Sequence, residues 1–224
     1  MKFLKQIAAL AAANFLFIGA AAAATVEFEY DISFGETAPD GSPPWMTAVF
    51  DDGATAGSVQ LTVTVGTIGI ADVDEIYFNL NPVLDATNLV INRSGGTGPT
   101  EADINKAGGW SFGTDEFQAD GDGIYDLWLQ LPPPPGQQAG RFSAGETLVF
   151  DITGIASLTA DDFNYLAEIG GGNGPFYTAA HVLSTGGGPS SDWIAAVPVP
   201  GAVWLMGSAL GLLGWLRRKS IVAK

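Results

Sequence analysis

Residues 25–34 alternate between apolar and polar side chains, and this alternation constrains the fold more than any other feature. The segment reads TVEFEYDISF, which places on one side of an extended chain Val26, Phe28, Tyr30, Ile32 and Phe34. A period of two is typical of a strand with one buried face. Residues 58–65 repeat the pattern. Further strands are predicted at 75–80, 123–131, 146–153 and 175–183.

Turn-forming residues separate these predicted strands. Glycine and proline recur at 39–41, 95–99, 132–136, 170–174 and 186–189. Short strands punctuated in this way predict an all-β domain, a single β-sandwich or jelly roll over residues 25–185. A domain of this size has enough chain to bury a core, since about 150 residues already hide roughly 70% of the unfolded surface.

One short helix is predicted within the domain, over residues 160–168. Thr159 to Asp162 resembles a capping box, and Asp161 and Asp162 suit the positive end of a helix dipole. Gly170 follows as a stop. The rest of the domain is predicted to be strands and turns.

The first 24 residues have the order of parts found in a secretory signal peptide. Lys2 and Lys5 precede an apolar stretch, and small side chains follow at Ala22 and Ala24. Such a segment forms a signal helix and is removed by a signal peptidase. We therefore predict cleavage before Thr25 and export of the domain.

The C-terminus carries an uncharged run over 201–216 that ends in the basic cluster Arg217, Arg218 and Lys219. As a helix, 16 residues cover about 24 Å, against about 30 Å for a bilayer core. The run predicts a short transmembrane helix, with its basic end in the cytoplasm and the domain outside. A buried C-terminal helix is the alternative. Residues 186–197, rich in glycine and serine, are predicted to be a spacer between domain and membrane.

The segment 198–224 resembles a known sorting signal. Pro198, Val199 and Pro200 precede the apolar run, and the basic cluster follows it. This three-part pattern is similar to the PEP-CTERM signal of Gram-negative bacteria, in its Val-Pro-Leu-Pro-like variant. The resemblance implies that the chain is a substrate of an exosortase, a membrane-embedded processing enzyme. It also implies a surface protein linked to exopolysaccharide or biofilm.

Charge is distributed unevenly along the chain. All 24 acidic residues lie between Glu27 and Asp192, where only Arg93, Lys106 and Arg141 oppose them, so this stretch carries −21. A domain this acidic repels nucleic acid and anionic lipid headgroups. The chain has no cysteine, which excludes disulfides, a thiol nucleophile and thiolate metal ligands.

One stretch of carboxylates suggests a metal. Asp120, Asp122 and Asp126 alternate with glycines that let the backbone curl, and oxygen ligands suit calcium. An ordinary solvated Asp-Gly hairpin turn is the alternative. A second acidic group lies at Asp72, Asp74 and Glu75. No cofactor other than calcium is predicted.

The histidine and the tryptophans are the remaining candidates. His181 is the one histidine of the chain and lies in a predicted strand, which favours a structural role over a catalytic triad. Trp110, Trp128 and Trp193 are expected in the core. Trp45 is expected in the core as well, but it follows two prolines in a predicted loop, which makes it the best candidate of the four for an exposed platform that stacks on sugars.

Three functions remain open on the sequence. The leading hypothesis is a non-enzymatic protein of the envelope or extracellular matrix, exported and processed at its tail. The second is a secreted carbohydrate-binding module stabilised by calcium. The third is a secreted hydrolase. The expected partners are the exosortase, the membrane through the C-terminal helix, and extracellular polysaccharide; nucleic acid is not among them.

Overall fold

The computed structural model describes residues 24–53, 55–120, 122–132, 140–172, 174–185 and 190–198. The predicted signal helix, the transmembrane run and the basic cluster lie outside these residues, as do Ala22, Val199 and Pro200. Among the described residues, no helix combines the length and apolarity needed to cross a bilayer.

Strands make up most of the described chain, as the sequence predicts. In chain order they are β1 Thr25–Ser33, β2 Met46–Asp51, β3 Val59–Val65, β4 Asp72–Phe78, β5 Val90–Gly96, β6 Gly109–Ala119, β7 Gly123–Gln130, β8 Phe142–Ser143, β9 Thr147–Thr153, β10 Glu168–Ile169, β11 Thr178–Thr185 and β12 Ser190–Pro198. The described part of the chain also contains one α-helix, α1, over Glu101–Ala107, and short 3₁₀ turns at Ala86–Asn88 and Ala160–Phe163.

These strands form one continuous antiparallel sheet. Its order is β10-β7-β4-β11-β12-β1-β2-β3-β9-β5, with β6 paired to β7 and β8 to β4. The sheet doubles over, and its two halves face each other across a shared core. Phe50 of β2 meets Phe78 of β4 edge to face at 5.3 Å, and Phe150 of β9 meets Trp110 of β6 at 5.4 Å. The result is the sandwich of the prediction, built from one sheet.

Burial follows the alternation that the sequence shows. In β3, buried side chains at Val59, Leu61, Val63 and Val65 alternate with more exposed polar ones. Each fully buried side chain of this size contributes roughly 1.5–3 kcal/mol. The repeated apolar face therefore holds β3 in place and sets which side of the sheet faces the core.

The helix prediction is wrong in position. The capping interaction does form, since the Asp162 carboxylate accepts from the Thr159 amide at 2.9 Å and from its hydroxyl at 2.8 Å. It starts only the 3₁₀ turn, because Phe163 then enters the core and stacks on Phe50 at 4.2 Å. Residues 168–169 form β10 instead of a helix end.

The α-helix of the described residues is α1, at a position that the sequence pattern does not predict. Thr100 caps its first turn: the Thr100 hydroxyl accepts from the Asp103 amide, and the Asp103 carboxylate accepts from the Thr100 amide at 3.1 Å. This reciprocal arrangement is a capping box with Asp in place of the usual Glu. Ile104 is the buried anchor of the helix.

The predicted spacer is wrong for residues 190–197, which belong to β12. This strand lies between β1 and β11, deep within the sheet order. Ile194, Ala195 and Ala196 have no exposed surface. A strand buried on both sides is apolar throughout and lacks alternation, which explains why the sequence pattern missed it. The domain therefore extends to Pro198, which pairs in register with Phe28.

Candidate functional site

The outer surface of one half of the sheet carries a second group of aromatic residues. Tyr77 of β4 lies directly opposite Trp128 of β7 and Ala179 of β11. Their chain neighbours Ile76 and Leu129 point into the main core. Because side chains alternate between the faces of a sheet, Tyr77 and Trp128 lie on the face turned away from that core.

Trp193 of β12 extends this outer face by two further strands. It lies opposite His181 of β11, which in turn lies opposite Glu75 of β4. Register thus brings together residues from four strands and from widely separated parts of the chain. We call Glu75, Tyr77, Trp128, His181 and Trp193 the outer aromatic face.

Tyr77 is the centre of the outer aromatic face. Its ring is parallel to the Trp128 indole within 10°, with centroids 5.9 Å apart, and it lies 5.9 Å from the Trp193 ring. Tyr77 is only 4% exposed, whereas both tryptophans are half-buried and keep part of their surface in solvent. The buried phenol therefore holds two partly exposed indoles in place.

Further aromatic rings support the tryptophans from the sides. Phe117 of β6 packs on Trp128 with centroids 5.8 Å apart, and Phe34 packs on Trp193 at 6.2 Å. Trp193 also meets the His181 imidazole at 4.9 Å. Ring pairs at these separations contribute about 0.5–1.5 kcal/mol each beyond area burial, so the indoles are held in position before any ligand arrives.

Glu75 adds a carboxylate to the outer aromatic face. The Tyr77 hydroxyl donates to it at 2.5 Å. Burial first, and then the hydrogen bond and charge of Glu75, raise the pKa of Tyr77 far above its usual value. Because the phenol stays neutral, it leaves the negative charge of Glu75 uncompensated.

Asp74 lies beside this face because of a bulge in β4. His181 pairs with Glu75 while Val182 pairs with Val73, so Asp74 is the extra residue. A bulge re-aims the side chain it carries, and here the Asp74 carboxylate meets His181 Nδ1 at 2.7 Å. Burial acts to lower the pKa of His181, but the hydrogen bond and charge of Asp74 leave that pKa raised overall.

The second acidic group predicted at residues 72–75 is thus divided. Asp72 accepts from Arg141 at 2.8 Å and from the Ser143 hydroxyl at 2.7 Å, which ties β4 to the β8 segment. Asp74 and Glu75 contribute to the outer aromatic face. The three carboxylates therefore do not form a single acidic site.

The three carboxylates of the predicted calcium loop have different environments. Asp120 is exposed and adopts a positive φ of 44° at the β6–β7 turn. Asp126 is buried, and its two oxygens each accept a backbone N–H at 2.9 Å, from Leu80 and from Asp115. Backbone donors thus already occupy both oxygens of Asp126.

Asp122 has the fewest hydrogen-bond partners for its buried oxygens among the carboxylates of this loop. It is 1% exposed, and one of its oxygens accepts from the Tyr125 hydroxyl at 3.1 Å. The other oxygen is buried without a hydrogen-bond partner among the described residues. Burial raises the pKa of Asp122 to about 6. Among the described residues, no three His, Asp or Glu side chains gather as a metal-binding group.

The best sequence candidate for an exposed tryptophan platform is not exposed. Trp45 is 6% exposed and belongs to the main core. Its amide donates to the Tyr30 carbonyl at 3.0 Å, which draws the residue into the sheet just ahead of β2. Trp110, expected in the core, packs against it, but Trp128 and Trp193, which were also expected there, belong to the outer aromatic face.

A signal for the outer aromatic face was present in the sequence. In β4, β7 and β12 an aromatic residue occupies the face opposite to buried core residues, as Tyr77 does between Ile76 and Phe78. Such strands carry apolar side chains on both faces. The pattern predicts a second covered or binding surface, although it does not say which strands share it.

Comparison with known proteins adds one distant likeness. No protein-family model matches this chain, and no curated protein sequence does. A solved structure described as a biomass-sensing module of Rsgi-like proteins of Clostridium thermocellum, which resembles a family 3 carbohydrate-binding module of the cellulosome, covers 72% of this chain and 93% of its own. The identity is 13% and the TM-score 0.33, so the likeness carries no conclusion about this chain's ligand.

Proposed function

We propose that this chain is a non-enzymatic glycan-binding protein of the cell envelope, which holds polysaccharide on its outer aromatic face. The observation that supports this proposal is the pair of half-exposed indoles, Trp128 and Trp193, held on either side of the buried Tyr77 ring. Polar side chains border the rings at Glu75 and His181.

The chemistry of such a face suits a sugar. A pyranose ring has an apolar C–H surface and a rim of hydroxyls, so it needs a flat aromatic partner with hydrogen-bonding groups beside it. Indole rings supply rigid contact area at low cost in side-chain entropy. Since packing already fixes both tryptophans, little further ordering opposes binding.

The chain ends complete the proposal. Residues 1–24 would direct export, and the segment 198–219 would hold the precursor in the inner membrane, with the domain outside the cytoplasm, until an exosortase processes it. In support of this arrangement, the last strand of the domain, β12, ends at Pro198, which is the first residue of the predicted sorting motif. The glycan-binding face would then lie in the envelope or matrix, where polysaccharide is available.

Affinity electrophoresis through gels that contain single polysaccharides tests the proposal. Trp128→Ala and Trp193→Ala should each abolish the retardation that the wild type shows with its ligand. Tyr165→Ala is the matched control, since Tyr165 is a half-buried aromatic residue that lines a small cavity of about 80 Å³ beside Asn79 and Asp126. Its retardation should stay at the wild-type value.

Two results would contradict the proposal. Loss of binding in Tyr165→Ala, with normal binding in both tryptophan variants, would place the site in the cavity. Release of new reducing ends from the polysaccharide by purified protein, lost in a carboxylate variant, would make the chain a hydrolase. Circular dichroism of each variant excludes unfolding as the cause of lost binding.

A further inference from the structure

Negative charge borders the outer aromatic face. Glu75 lies on it, and Asp74 meets His181 at its edge. Two tryptophans and two carboxylates therefore share one surface region.

Few cations oppose this charge. Within the described ranges the lysines and arginines are Arg93 on β5, Lys106 on α1 and Arg141, and Arg141 is bound to Asp72. The strand β5 lies at the far end of the sheet order from β4 and β7. His181 is the one basic side chain placed on the outer aromatic face itself, and Asp74 already binds it.

We propose that the ligand of the outer aromatic face is a glycan with protonated amino groups, such as a polymer of de-N-acetylated amino sugars. This inference rests on the proposed glycan-binding function and specifies its substrate class. It follows from charge complementarity between the carboxylates and an ammonium group, on a face whose tryptophans already suit a pyranose ring.

Two physical effects favour an ammonium group here. A cation close to the face of a tryptophan ring is attracted by the electrons of the ring, and more strongly when water is excluded. Glu75 is half-buried and accepts from the neutral Tyr77 phenol, so it supplies a charged acceptor close to that ring. Charge-assisted hydrogen bonds are roughly twice as strong as neutral ones.

The same charges disfavour other polysaccharides. A uronic-acid or sulfated polymer would bring like charge against Glu75 and Asp74. A neutral glucan would stack on the indoles but gain nothing from the carboxylates. Specificity for an amino glycan therefore arises from repulsion of anionic chains as much as from attraction.

A matched pair of ligands tests the inference on the full-length chain. One is a β-linked glucosamine oligomer, and the other is the same oligomer fully N-acetylated, which removes the charge and keeps the ring. Wild-type protein should bind the amine-bearing oligomer at least tenfold more tightly at low salt. The preference should shrink at high salt, since screening weakens exposed charge pairs.

Variants separate the contributions of charge and ring. Glu75→Gln should reduce affinity for the amine-bearing oligomer several-fold and leave affinity for the N-acetylated oligomer unchanged. Trp193→Ala should weaken both. Because Glu75→Gln alters the partner of Tyr77, Asp74→Asn provides a second test, with the same direction of effect and no contact to Tyr77 lost.

Each result supports or overturns the inference. Equal binding of the two oligomers by wild type would overturn the amine specificity while leaving glycan binding intact, and so would unchanged selectivity in both carboxylate variants. Binding of neither oligomer, nor of any neutral or anionic polysaccharide, would overturn the proposed function itself. Equal affinity for polylysine would show that any cationic polymer suffices, and would overturn the assignment to a glycan.

Discussion

The phenol ring of Tyr77 lies parallel to the indole of Trp128, with ring centroids 5.9 Å apart and planes inclined by 10°. The two residues are 51 positions apart in the chain and meet because β4 and β7 pair in register. Tyr77 also donates to Glu75. A single buried side chain thus positions both a ring and a charge of the outer aromatic face.

Removal of the Tyr77 hydroxyl should separate these two roles. Tyr77→Phe keeps the ring and leaves Glu75 without its donor, so the free energy of unfolding should fall by about 1 kcal/mol. Tyr77→Ala also removes the ring and should cost about 3–5 kcal/mol. Urea denaturation measures both. Equal losses in the two variants would show that the ring contributes nothing to packing.

Asp122 should make stability depend on pH. Its folded pKa of about 6 lies above the ordinary value of 3.8. The folded state therefore favours the protonated acid, and stability present below about pH 4 is lost as pH rises towards 6. The loss is at most about 3 kcal/mol. Asp122→Asn should flatten this part of the curve, as measured by denaturation at pH 4 and pH 7.5. A wild-type curve with the same slope as the variant would contradict this.

Calcium binding at the β6–β7 turn stays a prediction. A calcium ion that binds the unpartnered oxygen of Asp122 would raise the melting temperature. At a calcium concentration one hundred times Kd, binding would add about 2.7 kcal/mol to the free energy of unfolding. Asp122→Ala should remove the shift, and Asp126→Asn serves as the comparison, since its oxygens already bind backbone amides. A wild type unmoved by calcium would refute the site. A shift that survives Asp122→Ala would place the ion elsewhere.

Strand β12 should be indispensable for folding. It lies between β1 and β11, so a chain that stops at residue 189 leaves two interior strands without their partner. That chain should fail to fold, whereas one that stops at Pro198 should keep the native circular dichroism and a cooperative melt. A folded, cooperative product from the shorter chain would restore the boundary near residue 185 that the sequence predicts.

The two ends of the mature protein test export and sorting. We expect the mature chain to begin at Thr25 and to lack the segment from about Pro198 onward in a host with the matching exosortase. Pro198→Ala with Pro200→Ala should spare insertion and block this processing. Replacement of Arg217, Arg218 and Lys219 by glutamate should leave uncleaved precursor. Mass spectrometry of intact protein reads both ends, and retention of the tail would indicate a permanent anchor.

Local signals in the sequence determined much of the sheet. Alternation located β1, β3, β7 and β9 closely, because a strand with one buried face carries that period in its own residues. The same rule failed for β12, which is apolar on both faces. The two prolines before Trp45 indicated a loop, but the Trp45 amide donates to the Tyr30 carbonyl on β1 and its side chain is buried.

Tertiary structure alone decided the candidate site. The capping signal at Thr159 was real, but core packing of Phe163 ended the turn after four residues.

The residues of the outer aromatic face meet only through the pairing of β7, β4, β11 and β12. They include Tyr77, Trp128, His181 and Trp193, and a shift of one residue in a strand would move its side chain to the opposite face. Alternation says which residues of a strand share a face. Long-range register decides which strands are neighbours, and that register depends on contacts between residues far apart in the chain.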